Sequence, residues 1–169
     1  VRALKTHAGR YKVIPGKPLP PAMLEDNPDD VLAGAANLRK HIEIVREFGV
    51  SPVVALNVFP TDHPGEIDAV RKVAEAAGAH FASSTHVVDG GDGAVDLAHA
   101  VVAACDHKAD FRYTYDLEDS LVEKLTKVAT KVYGADGIDI APAAAKELAH
   151  FEDLGYGTFP VVIAKTHLS

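Results

Sequence analysis

The chain has one cysteine in 169 residues, so it can form no internal disulfide, and a reducing compartment fits it. Cys105 lies in the apolar run from Ala98, where a buried small hydrophobe is the expected role. No stretch of about 18 apolar residues exists that could span a bilayer, and no charged-then-apolar leader opens the sequence. Basic excess is also missing. The formal net charge of -7 argues against a nucleic-acid backbone or an anionic membrane as partner, because neither attracts an acidic surface. A soluble, cytoplasmic protein that meets small molecules or other proteins is expected. Neither G-x-x-x-x-G-K-[ST] nor G-x-G-x-x-G occurs, and the nine histidines never form H-E-x-x-H, so no phosphate cradle or metal site is read from the chain. A G-x-S-x-G elbow is missing too.

What is present is ordinary globular material, 47% hydrophobic and 24% charged, enough for one compact domain with a proper core. Pro15, Pro18, Pro20 and Pro21 make 14–27 an irregular connection. Asn27-Pro28-Asp29-Asp30 then offers an N-cap, a first-turn proline and early acids, and Val31, Ala35, Leu38, Ile42 and Val45 repeat at helical spacing up to Gly49. Residues 51–59 form a nearly continuous apolar run, as in a strand covered on both faces. A helix over 62–77, a strand over 80–88 and a helix through Leu97, Val101 and Cys105 follow. Further helices are expected over 117–133 and 142–154, with a short strand at 138–140 between them and a last strand at 159–164.

Such alternation predicts an α/β fold, three layers with a mostly parallel sheet flanked by helices. The whole of 1–169 reads as a single α/β segment. Within it 1–27 is a strand end and proline-rich loop, 28–107 an alternating core, and 108–169 a helical subregion with a final strand. The beginning at Val1 and the end at Ser169 look cut, and apolar edges left by such a cut are expected to promote self-association.

Open α/β sheets place ligands at the carboxyl ends of their strands. Three segments qualify: 57–62, 85–93 and 165–169. In the first, Phe59 beside Pro60 can offer its ring to a flat heterocycle, or it can be a core residue followed by a Thr61 or Asp62 helix cap. Asn57 ends the strand where nucleotide-binding proteins place a base contact. In the second, Gly90, Gly91 and Gly93 can bare backbone N–H groups to an anion, but Asp89 and Asp92 repel phosphate, so a tight turn with an N-cap is the simpler reading.

Several segments, in order, resemble the formate-tetrahydrofolate ligase family: Val1-Arg2-Ala3-Leu4-Lys5, Asn37-Leu38 with His41-Ile42-Glu43, Asn57 through Asp62, Gly90 through Ala94, Tyr133 through Gly137, Phe151 through Gly157, and Ala164-Lys165-Thr166. The resemblance implies an interior piece of an enzyme that uses ATP and magnesium to activate formate as formyl phosphate and passes the formyl group to tetrahydrofolate. It also implies a homotetramer of P-loop type fold whose phosphate loop lies upstream of this segment. It makes Phe59 the aromatic that stacks on the folate ring, with Pro60 and Thr61 shaping the pocket. Val87 stands where the family has a second stacking tryptophan, and Ile44 where an asparagine is common. Lys165, Thr166 and Ser169 match a K-T-x-x-S loop expected to line the adenine site, with no catalytic residue assigned. The substitution at Val87 keeps open a reading of a different class, a non-catalytic binding or assembly module on the same fold.

Overall fold

The computed structural model describes residues 1–14 and 16–164, and the chain divides into two compact units, Val1–Asp110 and Phe111–Ser169. The first unit opens with a short helix, α1 (Arg2–His7), where the sequence suggested a strand end. A strand there would need a sheet neighbour. Leu4 instead packs with Val31, Leu56, Ala69 and Val70 in the main apolar cluster. The proline-rich connection holds one 3-10 turn, Pro21–Leu24, whose Met23 is buried.

The predicted long helix is two, α2 (Pro28–Ala33) and α3 (Ala36–Glu47). Asn27 caps α2 as expected, its side chain accepting from the Asp30 N–H at 3.2 Å. The break follows from packing at Gly34. A Cβ there would sit 1.8 Å from the Leu4 carbonyl oxygen, so only glycine lets α1 approach this closely. Asp30 is fully buried under the same junction. Tyr11 Oη and Asn27 Nδ2 both donate to its Oδ2, and Arg10 pairs with Oδ1 at 2.5 Å without the alignment of a hydrogen bond.

Two parallel strands follow, β1 (Val53–Asn57) and β2 (His80–Ser84), joined by α4 (Pro64–Ala76) and paired from Val53↔His80 to Asn57↔Ser84. Alternation sorts their faces. Val54, Leu56 and Phe81 join the cluster built by α1, α2 and α4, while Val53 faces α6 (Val95–Cys105) across a hollow of about 320 Å³. Between β2 and α6 lie a one-turn helix, α5 (His86–Asp89), and a 3-10 turn, Asp92–Ala94, so the strand predicted over 80–88 ends at Ser84. Cys105 borders the hollow and is exposed, which corrects the expectation of a buried thiol: the hollow lies where a packing partner for it would be.

The second unit holds α7 (Leu121–Lys127) and α8 (Pro142–Asp153). Ser120 and Glu123 cap α7 reciprocally, side chain to backbone in both directions. The helix then widens into a π-turn at Val128–Val132, where the Thr126 and Thr130 hydroxyls donate back to the carbonyls of Val122 and Thr126. Neither strand expected in this unit occurs among the described residues. Ile138 and Ile140 line an open apolar cleft of about 540 Å³ with Leu125, Leu148 and Ile163. The run from Phe159 is held by side chains instead of a sheet. Tyr115 Oη accepts from Val161 N–H at 2.8 Å and donates to Val161 O at 3.1 Å. The observed architecture is thus helical with a small two-stranded parallel sheet, compatible with an α/β class.

Candidate functional site

Because β1 and β2 are parallel and adjacent, the segments leaving Asn57 and Ser84 emerge side by side at one edge of the sheet. Val58 N–H donates to Ser84 O at 3.0 Å and extends the ladder one residue into the first loop. There the chain turns sharply. Phe59 N–H donates to Asp62 Oδ2 at 3.0 Å, and Asp62 N–H returns a bond to Phe59 O at 2.9 Å, a four-residue turn with Pro60 in its favoured second position. Asp62 therefore closes the turn and does not cap α4, whose N-cap is His63. The turn lifts Phe59 out of the core: its side chain is 44% exposed. The Arg2 guanidinium lies over the ring, 4.1 Å from its centroid.

The second loop is folded against its own root. Thr85 N–H donates to Gly93 O at 2.9 Å, and a Cβ on Gly93 would come within 2.6 Å of Thr85 Oγ1 and 2.7 Å of the Thr85 carbonyl carbon. The glycine is required by that close approach. The tight turn expected at Gly90 is present, with φ of 61°, but α6 starts from Ala94 with no side-chain cap, so the accompanying N-cap is not. Val87 rides on α5 and is 81% exposed. At the foot of α5, the buried Ser84 Oγ and His86 Nδ1 are hydrogen-bonded at 2.8 Å, the donor being set by the imidazole tautomer.

Thus Asn57 at the end of β1, Phe59, Pro60 and Thr61 on the loop after it, and Val87 on α5 after β2 all follow the carboxyl ends of the two paired strands. Lys165, Thr166 and Ser169 lie outside the described residues. Among the described residues, no three His, Cys, Asp or Glu side chains are grouped to hold a metal ion, and no helix is long and apolar enough to cross a membrane.

A buried ion pair underlies the first loop. Lys5 Nζ on α1 donates to Glu66 Oε1 at 2.5 Å and to Glu25 O at 2.7 Å, and both side chains are 1% exposed. Glu66 also accepts from the N–H groups of Asn27 and His63, at 3.1 and 3.3 Å. Burial pushes its carboxyl upward, but the Lys5 hydrogen bond and the two backbone donors prevail, and its pKa falls below the ordinary 4.5. Glu66 had a local sign in the sequence, an acid three residues into a helix that opens with proline. Arg2 and Lys5 had none, since their partners lie about 60 residues away.

The sequence profile of the family described as Formate--tetrahydrofolate ligase matches residues 1–169. The Formate--tetrahydrofolate ligase of Cutibacterium acnes is 99% identical over 169 residues, that of Saccharopolyspora erythraea 58% over 169 residues, and that of Chloroflexus aurantiacus 46% over 172 residues. Each alignment covers 100% of this chain and 30% of the relative, so the chain spans about a third of the length of the curated relatives it matches. With all 169 residues matched, the chain belongs to the formate-tetrahydrofolate ligase family.

Proposed function

We propose that this chain is the folate-platform segment of a ligase that joins formate to tetrahydrofolate at the expense of ATP. The observation that carries the reading is Phe59, half-exposed on a closed turn at the carboxyl end of a parallel strand, in a chain of this family. In the proposed reaction a formate oxygen attacks the γ-phosphorus of ATP and ADP leaves. N10 of tetrahydrofolate then attacks the carbonyl carbon of formyl phosphate, the C–O bond to phosphate breaks with its electron pair going to the phosphate oxygen, and the proton released from N10 passes to the departing phosphate. Phosphoryl transfer of this kind depends on positioning and electrostatics around the phosphates and Mg2+. Those tasks are assigned to the rest of the ligase chain, since Asp89 and Asp92 flank the glycine turn here.

The part assigned to this segment is binding and orientation. Phe59 takes one face of the pterin, Pro60 and Thr61 shape the pocket around it, and Val87 supplies an aliphatic wall where a second ring would stack. Stacking on Phe59 contributes about 0.5–1.5 kcal/mol beyond the area it buries. Asn57, Lys165, Thr166 and Ser169 are proposed to line the adenine pocket. The whole protein is proposed to adopt a P-loop type, three-layer fold, to work as a cytoplasmic homotetramer, and to use this chain as one segment. A second reading, a binding or assembly module without catalysis, is favoured by the valine at 87 in place of an indole.

Steady-state kinetics of Phe59→Ala in the full-length ligase separate the two. A tetrahydrofolate KM raised about tenfold, with the KM of ATP and formate unchanged, supports the platform. An unchanged tetrahydrofolate dependence overturns it.

A further inference from the structure

The ring of Phe59 does not stand alone on its turn, and what covers it comes from a distant part of the sequence. Arg2 lies on the first helical residue of α1 and places its guanidinium 4.1 Å from the ring centroid, in the geometry of a cation over a π face. The placement is built rather than incidental. Lys5, three residues on and so on the same side of the helix, is tied to Glu66 at 2.5 Å, while Leu4 packs with Leu56 of β1 and with Ala69 and Val70 of α4. Glu66 in turn accepts from His63 N–H, the residue that follows the Phe59–Asp62 turn. One buried carboxylate thereby anchors both the helix that carries Arg2 and the chain that carries Phe59.

We propose that Arg2 is a positioning residue of the platform: its guanidinium closes one face of the Phe59 ring and presents the other, in a fixed orientation, to the pterin of tetrahydrofolate. The inference rests on the platform reading and adds to it a residue that never touches the reacting atoms. Two effects follow from the geometry. A phenyl ring on an exposed turn would otherwise sample several rotamers, and ordering it on binding would cost affinity, so a ring already held in place loses less. A cation on one face also draws the ring's π density toward itself. The opposite face becomes less negative and better matched to an electron-rich, amino-substituted heterocycle. Planarity matters as well as charge, because a guanidinium covers the ring where an ammonium contacts it at a point.

The test is a double-mutant cycle in the full-length ligase, comparing Arg2→Ala, Arg2→Lys, Phe59→Ala and the Arg2→Ala/Phe59→Ala pair. Arg2→Ala is expected to raise the tetrahydrofolate KM about three- to tenfold, with kcat at saturation and the KM of ATP and formate unchanged. Arg2→Lys is expected to recover part of the loss, and the double variant to be no worse than Phe59→Ala, since Arg2 acts through that ring. A tetrahydrofolate KM within twofold of the parent in Arg2→Ala, while Phe59→Ala raises it, overturns the role of Arg2 and leaves the platform standing. No change in either single variant overturns the platform itself. An equal rise for all three substrates, or losses that add in the double variant, marks Arg2 as a structural contact and likewise overturns the proposal. Should Arg2→Ala not fold, Arg2→Met, which keeps an apolar stem but no planar cation, carried through the same cycle decides by the same criteria.

Discussion

In Val1–Asp110 a dozen apolar side chains, from Leu4 and Met23 to Ala79 and Ala82, are buried around the two strands; in the described part of Phe111–Ser169 Leu121 alone is, beside the buried charged Lys124. The first unit is held by apolar burial with one ion pair inside it. The second is held by polar tethers from side chain to backbone: Lys124 Nζ to Gly157 O and Phe159 O, Tyr115 to both backbone groups of Val161, and Leu121 N–H to Glu152. Its aromatic residues stay largely outside, with Tyr156 and Phe159 ring centroids 5.3 Å apart on an exposed surface. Burial is non-directional and fixes many positions at once, whereas a tether fixes only the groups it joins. The candidate platform sits on the unit with the core, where geometry is best determined.

The sharpest way to probe that contrast is Glu66→Gln. It leaves Lys5 buried without its carboxylate and is expected to cost about 3–5 kcal/mol in chemical denaturation. Its pH dependence gives a second handle. The Glu66 pKa lies below 4.5 in the folded protein, so the unfolded state binds more protons near that pH and stability rises with pH there. The contribution is complete above about pH 4.5 and is lost as pH falls through the lowered pKa. Glu66→Gln should lack that component of the acid-limb loss. A variant as stable as the parent at neutral pH would mean that the pair is not part of the first unit's frame.

A smaller loss, about 1.5–3 kcal/mol, is expected from Lys124→Met, which removes donors from two carbonyls. It should appear as faster hydrogen exchange in peptides covering 155–161. A cost equal to that of Glu66→Gln would break the distinction between core and tether. The mildest change is Tyr115→Phe, expected at about 0.5–1.5 kcal/mol and confined to exchange at the Val161 amide. Spread of that effect through the whole second unit would show cooperativity that a single tether does not supply.

The elements legible in sequence were those with local causes. Asn27-Pro28 set the start of α2, helical periodicity marked α3, α4 and α6, the apolar run with valines at 51–59 marked β1, and the strand expected over 80–88 contained β2 but ran on into α5. The break at Gly34 was not legible, because the atom that demands glycine belongs to Leu4, thirty residues earlier. Apolar runs at 138–140 and 159–164 were compatible with strands by pattern alone. What they lack among the described residues is a partner strand, and pattern carries no information about partners. The same limit applies at the end of β1: its place beside Pro60 left Phe59 open to either a core or a surface position, its exposure was decided by the turn, and the arginine on its ring had no sign in the sequence.

By itself the sequence determined the family, through collinear motifs, and the positions of helices and strands whose periodicity, caps and prolines act within a few residues. Only the tertiary structure decided that α1 is a helix against the core, that Lys5 and Glu66 share a buried site, and that Arg2 meets Phe59. Those contacts join residues about 60 positions apart. They arise when the β1–α4–β2 unit buries its apolar face against α1 and α2, which is a property of packing and not of local sequence.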